Sequence, residues 1–124
     1  MMIGETPVAV EWEDNASVEA LMALAKGSLP AEGPLPAAEG ITIEMSMYGG
    51  FEQVGSIGQS LPRDDAQTTT TSGDIVLYSG NQLVVFYGSN SWAYTRLGHI
   101  TDQTPVQMKA LLGSGDVTIT LSMK

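Results

Sequence analysis

The residues best equipped for chemistry cluster in one segment. SNSWAYTRLGHI, residues 89–100, holds one of two tryptophans, one of two arginines and the only histidine of the chain. On an extended strand positions i, i+2 and i+4 share a face, so Trp92, Tyr94 and Arg96 align, while His99 falls on the opposite face beside Leu97. An arginine beside aromatic rings can bind a carboxylate or polarise a peptide carbonyl, which is the task of proline isomerisation. The same arrangement arises where an arginine stacks on its neighbours and pairs with a carboxylate such as Glu52, and the sequence leaves both open. His99 has no cysteine and no second histidine with which to hold a metal. No Gly-x-Ser-x-Gly elbow supplies a nucleophile for it to activate, so it reads as an exposed residue at a strand end.

A second candidate segment is YGGFE, residues 48–52. Glycines let the backbone turn sharply or approach a ligand closely. Tyr48 and Phe51 around such a pair could rim a small apolar site, and a β-turn with core aromatics accounts for them equally. The glycines do not form the Gly-x-Gly-x-x-Gly pattern of a dinucleotide site. Asp64–Asp65 and Glu11/Glu13 are close carboxylate pairs, but Asp64 and Asp65 follow Pro62 in a turn. Catalytic carboxylates need a substrate-sized gap and environments that split their pKa values. The Asn-Ala-Ser at Asn15 matches a glycosylation sequon, for which helix capping is the simpler account. The residues therefore name no catalytic group, no metal ligands and no cofactor. The ligand-binding candidates are Tyr48, Phe51, Glu52, Trp92, Tyr94 and Arg96.

These residues need a scaffold, and hydrophobic periodicity supplies one. VAVEW, residues 8–12, alternates as a half-buried strand with Val8, Val10 and Trp12 on one side. Asp14 or Asn15 can then cap a helix whose Val18, Leu21, Met22 and Ala25 fall on one face, with Gly27 suited to its end. SLPAEGPLPAAEG, residues 28–40, carries three prolines and is expected to be an exposed loop, extended enough to serve as a proline-rich ligand. ITIEMSM alternates with Ile41, Ile43, Met45 and Met47 on one face. TTTTS reads as an edge strand. IVLY and LVVFY flank SGNQ as a hairpin whose unbroken hydrophobicity predicts cover on both faces, a barrel interior on one side and a packed helix on the other. Thr104 and Pro105 open a second helix. DVTITLSM closes the chain with Val117, Ile119, Leu121 and Met123 on one face.

Composition narrows the function classes. One domain spanning 1–124 is expected at this length, and the absence of cysteine excludes disulfides and thiol chemistry. The net charge is −9, with five scattered basic residues. Such a field repels nucleic acid and anionic membranes, so neither is expected as a partner. MMIGETPVAV lacks the cationic and apolar regions of a signal peptide, and a cytoplasmic location is expected. The expected partner is a peptide or a small-molecule ligand, and no oligomeric state follows from the residues.

Three stretches, YGGFEQVGSIGQSLPRDD, SGDIVLYSGNQLVVFYGSNSWAYTRLGHI and LLGSGDVTITLS, together resemble the bacterial cyclophilin-like fold proteins. DNASVEALMALAKG is similar to the opening helix of that family, and the resemblance runs over residues 8–123. It implies a mainly β fold: a closed, mostly antiparallel cyclophilin-like barrel with two short helices. It implies no activity. Met47 stands where the family pattern has an acidic residue and Gln53 where it has lysine, so an Asp–Lys pair is not carried over. The Phe-x-Arg and Gln-Gly-Gly segments of the true cyclophilins are absent, and no catalytic residue transfers from them. The favoured expectation is a non-catalytic module that binds a peptide or small ligand. A divergent peptidyl-prolyl isomerase using Arg96 is the alternative. An accessory domain with a large exposed apolar patch is the third reading.

Overall fold

A computed structural model describes residues 1–26 and 40–121. The chain is mainly β, with eleven strands and two helices among the described residues. In order these are β1 (Met2–Ile3), β2 (Thr6–Pro7), β3 (Val10–Trp12), α1 (Ala16–Lys26), β4 (Ile41–Glu44), β5 (Ser46–Tyr48), β6 (Glu52–Ser56), β7 (Ala66–Thr69), β8 (Asp74–Tyr78), β9 (Gln82–Phe86), β10 (Ser91–Ile100), α2 (Pro105–Leu112) and β11 (Thr118–Leu121). The expected proline-rich loop, the helix end at Gly27 and the position of Met123 lie outside the described residues, save for Gly40. No helix among the described residues is long and apolar enough to cross a membrane.

The strands form two antiparallel sheets. One runs β2-β1-β11-β4; the other runs β3-β10-β8-β9-β6-β5, with β7 paired to β10. Neither closes on itself among the described residues, so the antiparallel, mainly β class is seen here as two open sheets, and closure into a barrel is not part of what they display. Residues 41–47 do not form one strand with a single buried face. The chain passes from one sheet to the other at Met45, so Ile43 and Met45 are buried while Met47 is exposed. The Met45 amide donates to Val117 O at 2.8 Å across that corner.

Both helices form where local chemistry starts them. Asn15 Oδ1 accepts from the Val18 amide at 2.9 Å, and α1 buries Val18, Leu21 and Ala25. At α2 the Thr104 hydroxyl accepts from Gln107 N while the Gln107 side chain accepts from Thr104 N, a reciprocal box behind Pro105. α2 buries Met108 and Leu112, one turn apart, and leaves Val106 exposed.

The β8–β9 hairpin is covered on both faces, and the helices help to cover only one of them. Ile75, Leu77, Leu83 and Val85 face the main core, to which both α1 and α2 contribute. Val76, Val84 and Phe86 face the other way into a smaller cluster with Tyr94, against which Phe51, Val54 and Tyr78 pack. This second face positions the candidate site.

Candidate functional site

The second face is built from aromatic rings delivered by four elements. At the β5–β6 turn Gly49 and Gly50 have φ of +67° and +73°, the left-handed region that glycine occupies without strain. A Cβ on Gly49 would lie 2.3 Å from Phe51 Cε2, so the glycine also makes room for that ring. Phe51 O accepts from the amides of Tyr87 and Gly88 at 2.9 and 3.0 Å, which ties the turn to the end of β9. The Phe51 ring lies parallel to Phe86, with centroids 6.4 Å apart. Phe86 meets Tyr94 edge-on at 5.6 Å, and Tyr94 meets Tyr78 in the same way at 6.1 Å. Edge-to-face pairs satisfy the ring quadrupoles and resist sliding, which makes a defined wall.

Above this wall lies an open pocket of about 370 Å³. Tyr48, Phe51, Glu52, Trp92 and Tyr94 line it, five of the six candidates drawn from the sequence. Val54, Tyr78 and Asn90 complete the lining. Tyr48 and Trp92 stand at the rim, 67 % and 56 % exposed. Asn90 Nδ2 donates to Tyr94 Oη at 2.8 Å, and Asn90 itself is held by hydrogen bonds with Thr70. The Tyr94 oxygen thus accepts from Asn90 and keeps its own proton to donate.

Among the described lining residues Glu52 is the only ionisable side chain other than the phenols. It is 6 % exposed. Burial pushes its carboxyl up from 4.5 to about 7, because the charged form loses water. Burial likewise pushes the Tyr94 phenol up; the Asn90 hydrogen bond opposes this, and the nearby Glu52 charge adds to it. The next residue, Gln53, points to the opposite side of β6. Its Nε2 donates to Leu112 O and Gly115 O, both at 2.7 Å, and so holds the C-terminal end of α2. That structural duty falls at the position where the resemblance implied a lysine.

Arg96 does not join the aromatic pocket. Its guanidinium pairs with Asp74 Oδ1 at 3.0 Å rather than with Glu52, and it lines a neighbouring depression of about 350 Å³ beside Asn15 and Arg63. His99 is also displaced from its expected face. The β10–β8 register slips between Arg96 and Gly98, a bulge that turns the strand. As a result Leu97 and Ile100, three apart, both enter the main core, and His99 Nδ1 reaches Asp74 Oδ1 at 2.8 Å. Asp74 Oδ2 accepts from the Thr71 amide at 2.8 Å. A buried carboxylate so fully bonded acts as a structural clasp between β8 and β10.

Asp64 and Asp65 form no catalytic pair either. The Asp64 amide donates to Thr95 Oγ1 at 2.8 Å, and Thr95 Oγ1 donates to Asp65 Oδ1 at 2.6 Å. Asp65 also pairs with Arg63. Burial pushes the Asp65 carboxyl up, but the hydrogen bonds from Thr95 and Arg63, with the guanidinium charge, outweigh it and hold the group below its usual value. Among the described residues no three His, Asp or Glu side chains come together to hold a metal ion.

Sequence reasoning missed Tyr78, Val54, Asn90 and Asp74. Tyr78 ends an apolar run that reads as pure core, and Asn90 sits in what reads as a plain turn. Asp74 follows Gly73 at the start of an apolar run, and nothing in that stretch points to Arg96. The chain matches the model of a family described as the cyclophilin-like family over residues 1–122. No curated protein and no solved structure matches it.

Proposed function

The chain belongs to the cyclophilin-like family, and from that premise we propose that it is a non-catalytic module holding a small ligand or a peptide side chain in its aromatic pocket. We take the two open sheets as the opposing parts of the family's barrel, joined at the Met45 corner. One observation carries the functional reading: rings from β5, the β5–β6 turn, β8 and β10 converge on a pocket of about 370 Å³ whose lining holds one carboxyl group and no nucleophile or acid–base pair. Pockets of this size, mostly apolar with a few placed polar groups, are the usual form of small-molecule sites.

Prolyl isomerisation through Arg96 draws less support. Its guanidinium is engaged by Asp74 and stands outside the aromatic pocket. Tyr48 and Trp92, the rim residues, are the exposed aromatics that a docking partner would bury, and they surround a concavity rather than a flat patch.

The test is NMR titration with a mixture of small aromatic and branched aliphatic fragments. Shifts are expected at Tyr48, Phe51 and the Trp92 indole, with the Trp12 indole unchanged, and Trp92→Ala is expected to remove them without unfolding the chain. The same samples are then given an Ala-Pro peptide. Cis–trans exchange accelerated by the wild type and lost in Arg96→Ala would overturn the non-catalytic reading.

A further inference from the structure

We propose that the aromatic pocket is selective for a methylated, quaternary ammonium group, with Glu52 as its counter-ion. The inference rests on the binding reading above and names the ligand chemistry.

Five aromatic side chains line the pocket: Tyr48, Phe51, Tyr78, Trp92 and Tyr94. Ring faces are electron-rich and attract cations, most strongly where water is partly excluded. A neutral apolar ligand would use the rings but gain nothing from Glu52, a 6 % exposed carboxyl at the pocket wall. No hydrogen bond or ion pair within the protein engages the Glu52 carboxyl among the described residues. A buried charge without a partner is costly, and an incoming cation removes that cost. Among the described residues the lining contains no lysine, arginine or histidine to compete. Net charge points the same way: at −9 the chain draws cations and repels anions.

The lining favours a methylated ammonium over a primary one. Five of its eight described residues are aromatic, and methyl groups spread the positive charge over ring faces without asking for acceptors.

Binding is therefore linked to the protonation of Glu52. The groups that face it are phenols: Tyr48 from β5, Tyr78 from β8 and Tyr94 from β10, while β9 presents Val84 and Phe86 to this cluster. Burial pushes the Tyr94 phenol up, and Glu52 is the one carboxyl of the described lining, so the carboxyl sets the profile. With its pKa near 7, its ionised fraction falls from about nine-tenths at pH 8 to about 3 % at pH 5.5, and affinity for a cation should fall about 30-fold.

The experiment compares choline with 3,3-dimethylbutan-1-ol, its uncharged isostere, by NMR titration at pH 8 and pH 5.5. The expected result is tighter binding of choline at pH 8, a loss of about 30-fold at pH 5.5, and weak, pH-independent binding of the alcohol. Glu52→Gln should abolish the pH dependence and weaken choline at pH 8 to about the level that the wild type shows at pH 5.5, while Trp92→Ala weakens both compounds. If the alcohol binds as tightly as choline, the pocket binds ligands but the cation assignment is wrong. Choline affinity that rises as pH falls likewise overturns it, since the protonated acid would then be the binding form. Failure of both compounds to bind would sink the cation assignment and the pocket reading together.

Discussion

A carboxyl group that loses its water without gaining a hydrogen bond carries that cost into the folded state. Glu52 is such a group, and its titration sets the sign of a stability effect. Below about pH 4.5 it is protonated in folded and unfolded chains alike, and it costs nothing. Between 4.5 and about 7 the unfolded chain releases the proton first, so stability falls as pH rises, and above about 7 the loss is complete. A shift of this size corresponds to roughly 3 kcal/mol. Glu52→Gln should therefore be more stable than the wild type at pH 8 by up to that amount and nearly equal to it at pH 4, as read from urea unfolding at the two pH values. Equal midpoints at pH 8 would mean that the ionised carboxylate finds a partner. Asp74 shows the contrast: equally buried, it is bonded on both oxygens by Arg96, His99 and Thr71. The difference between these two acids was not legible in the sequence, because it depends on partners 22 and 25 residues away for one and on the lack of any among the described residues for the other.

Elements that begin and end on local chemistry were the most legible. α2 starts where Thr104 and Pro105 predict, because a cap needs only residues three positions apart. Thr104→Ala removes one half of the box and should cost about 1 kcal/mol, measured as a lower urea midpoint with unchanged slope; no change would show that Gln107 alone holds the turn. α1 starts at Asn15 for the same reason, and Asn15 Nδ2 also donates to Arg96 O at 2.9 Å, which locks the helix entrance to β10. Strand faces were less legible. Alternation holds only while a strand stays in one sheet and in one register. The switch at Met45 exposes Met47, and the slip after Arg96 turns His99 toward Asp74. Both breaks lie inside runs that alternate or continue without a turn residue at the break itself, although Gly98 marks the second. A Cβ there would meet Glu11 O at 2.8 Å, so the glycine lets β3 approach the bulge closely.

At the scale of the whole molecule, charge and layering act together. Fourteen acidic residues face five basic ones over 124 positions. Of the chain's two arginines, both are engaged by Asp65 or Asp74, so most of the acidic excess repels itself across the surface. Raising KCl from about 10 to about 150 mM shortens the screening length from about 30 to about 8 Å. The melting temperature should rise over that range at pH 8, and a flat profile would show that the acids are too far apart to matter. Layering gives the chain two apolar clusters of unequal purpose. The larger is sealed by both helices and holds the sheets together, whereas the smaller is roofed by rings and stays open at the pocket.

By itself the sequence determined the β-rich class, the two helices with their capping residues, the β8–β9 hairpin and the aromatic candidates. Each is encoded in periodicity or in contacts a few residues apart, and Tyr48, Phe51, Glu52, Trp92 and Tyr94 carried their chemistry in their types. Tertiary structure alone decided which of them meet. Arg96 went to Asp74 because β10 pairs with β8. Tyr78 and Asn90 joined the pocket because four elements fold over one face of the hairpin. The Glu52 carboxyl was pushed up to about 7 because that fold buries it. Pairing across long sequence separations is settled by which surfaces are buried together, and one chain read residue by residue does not contain that choice.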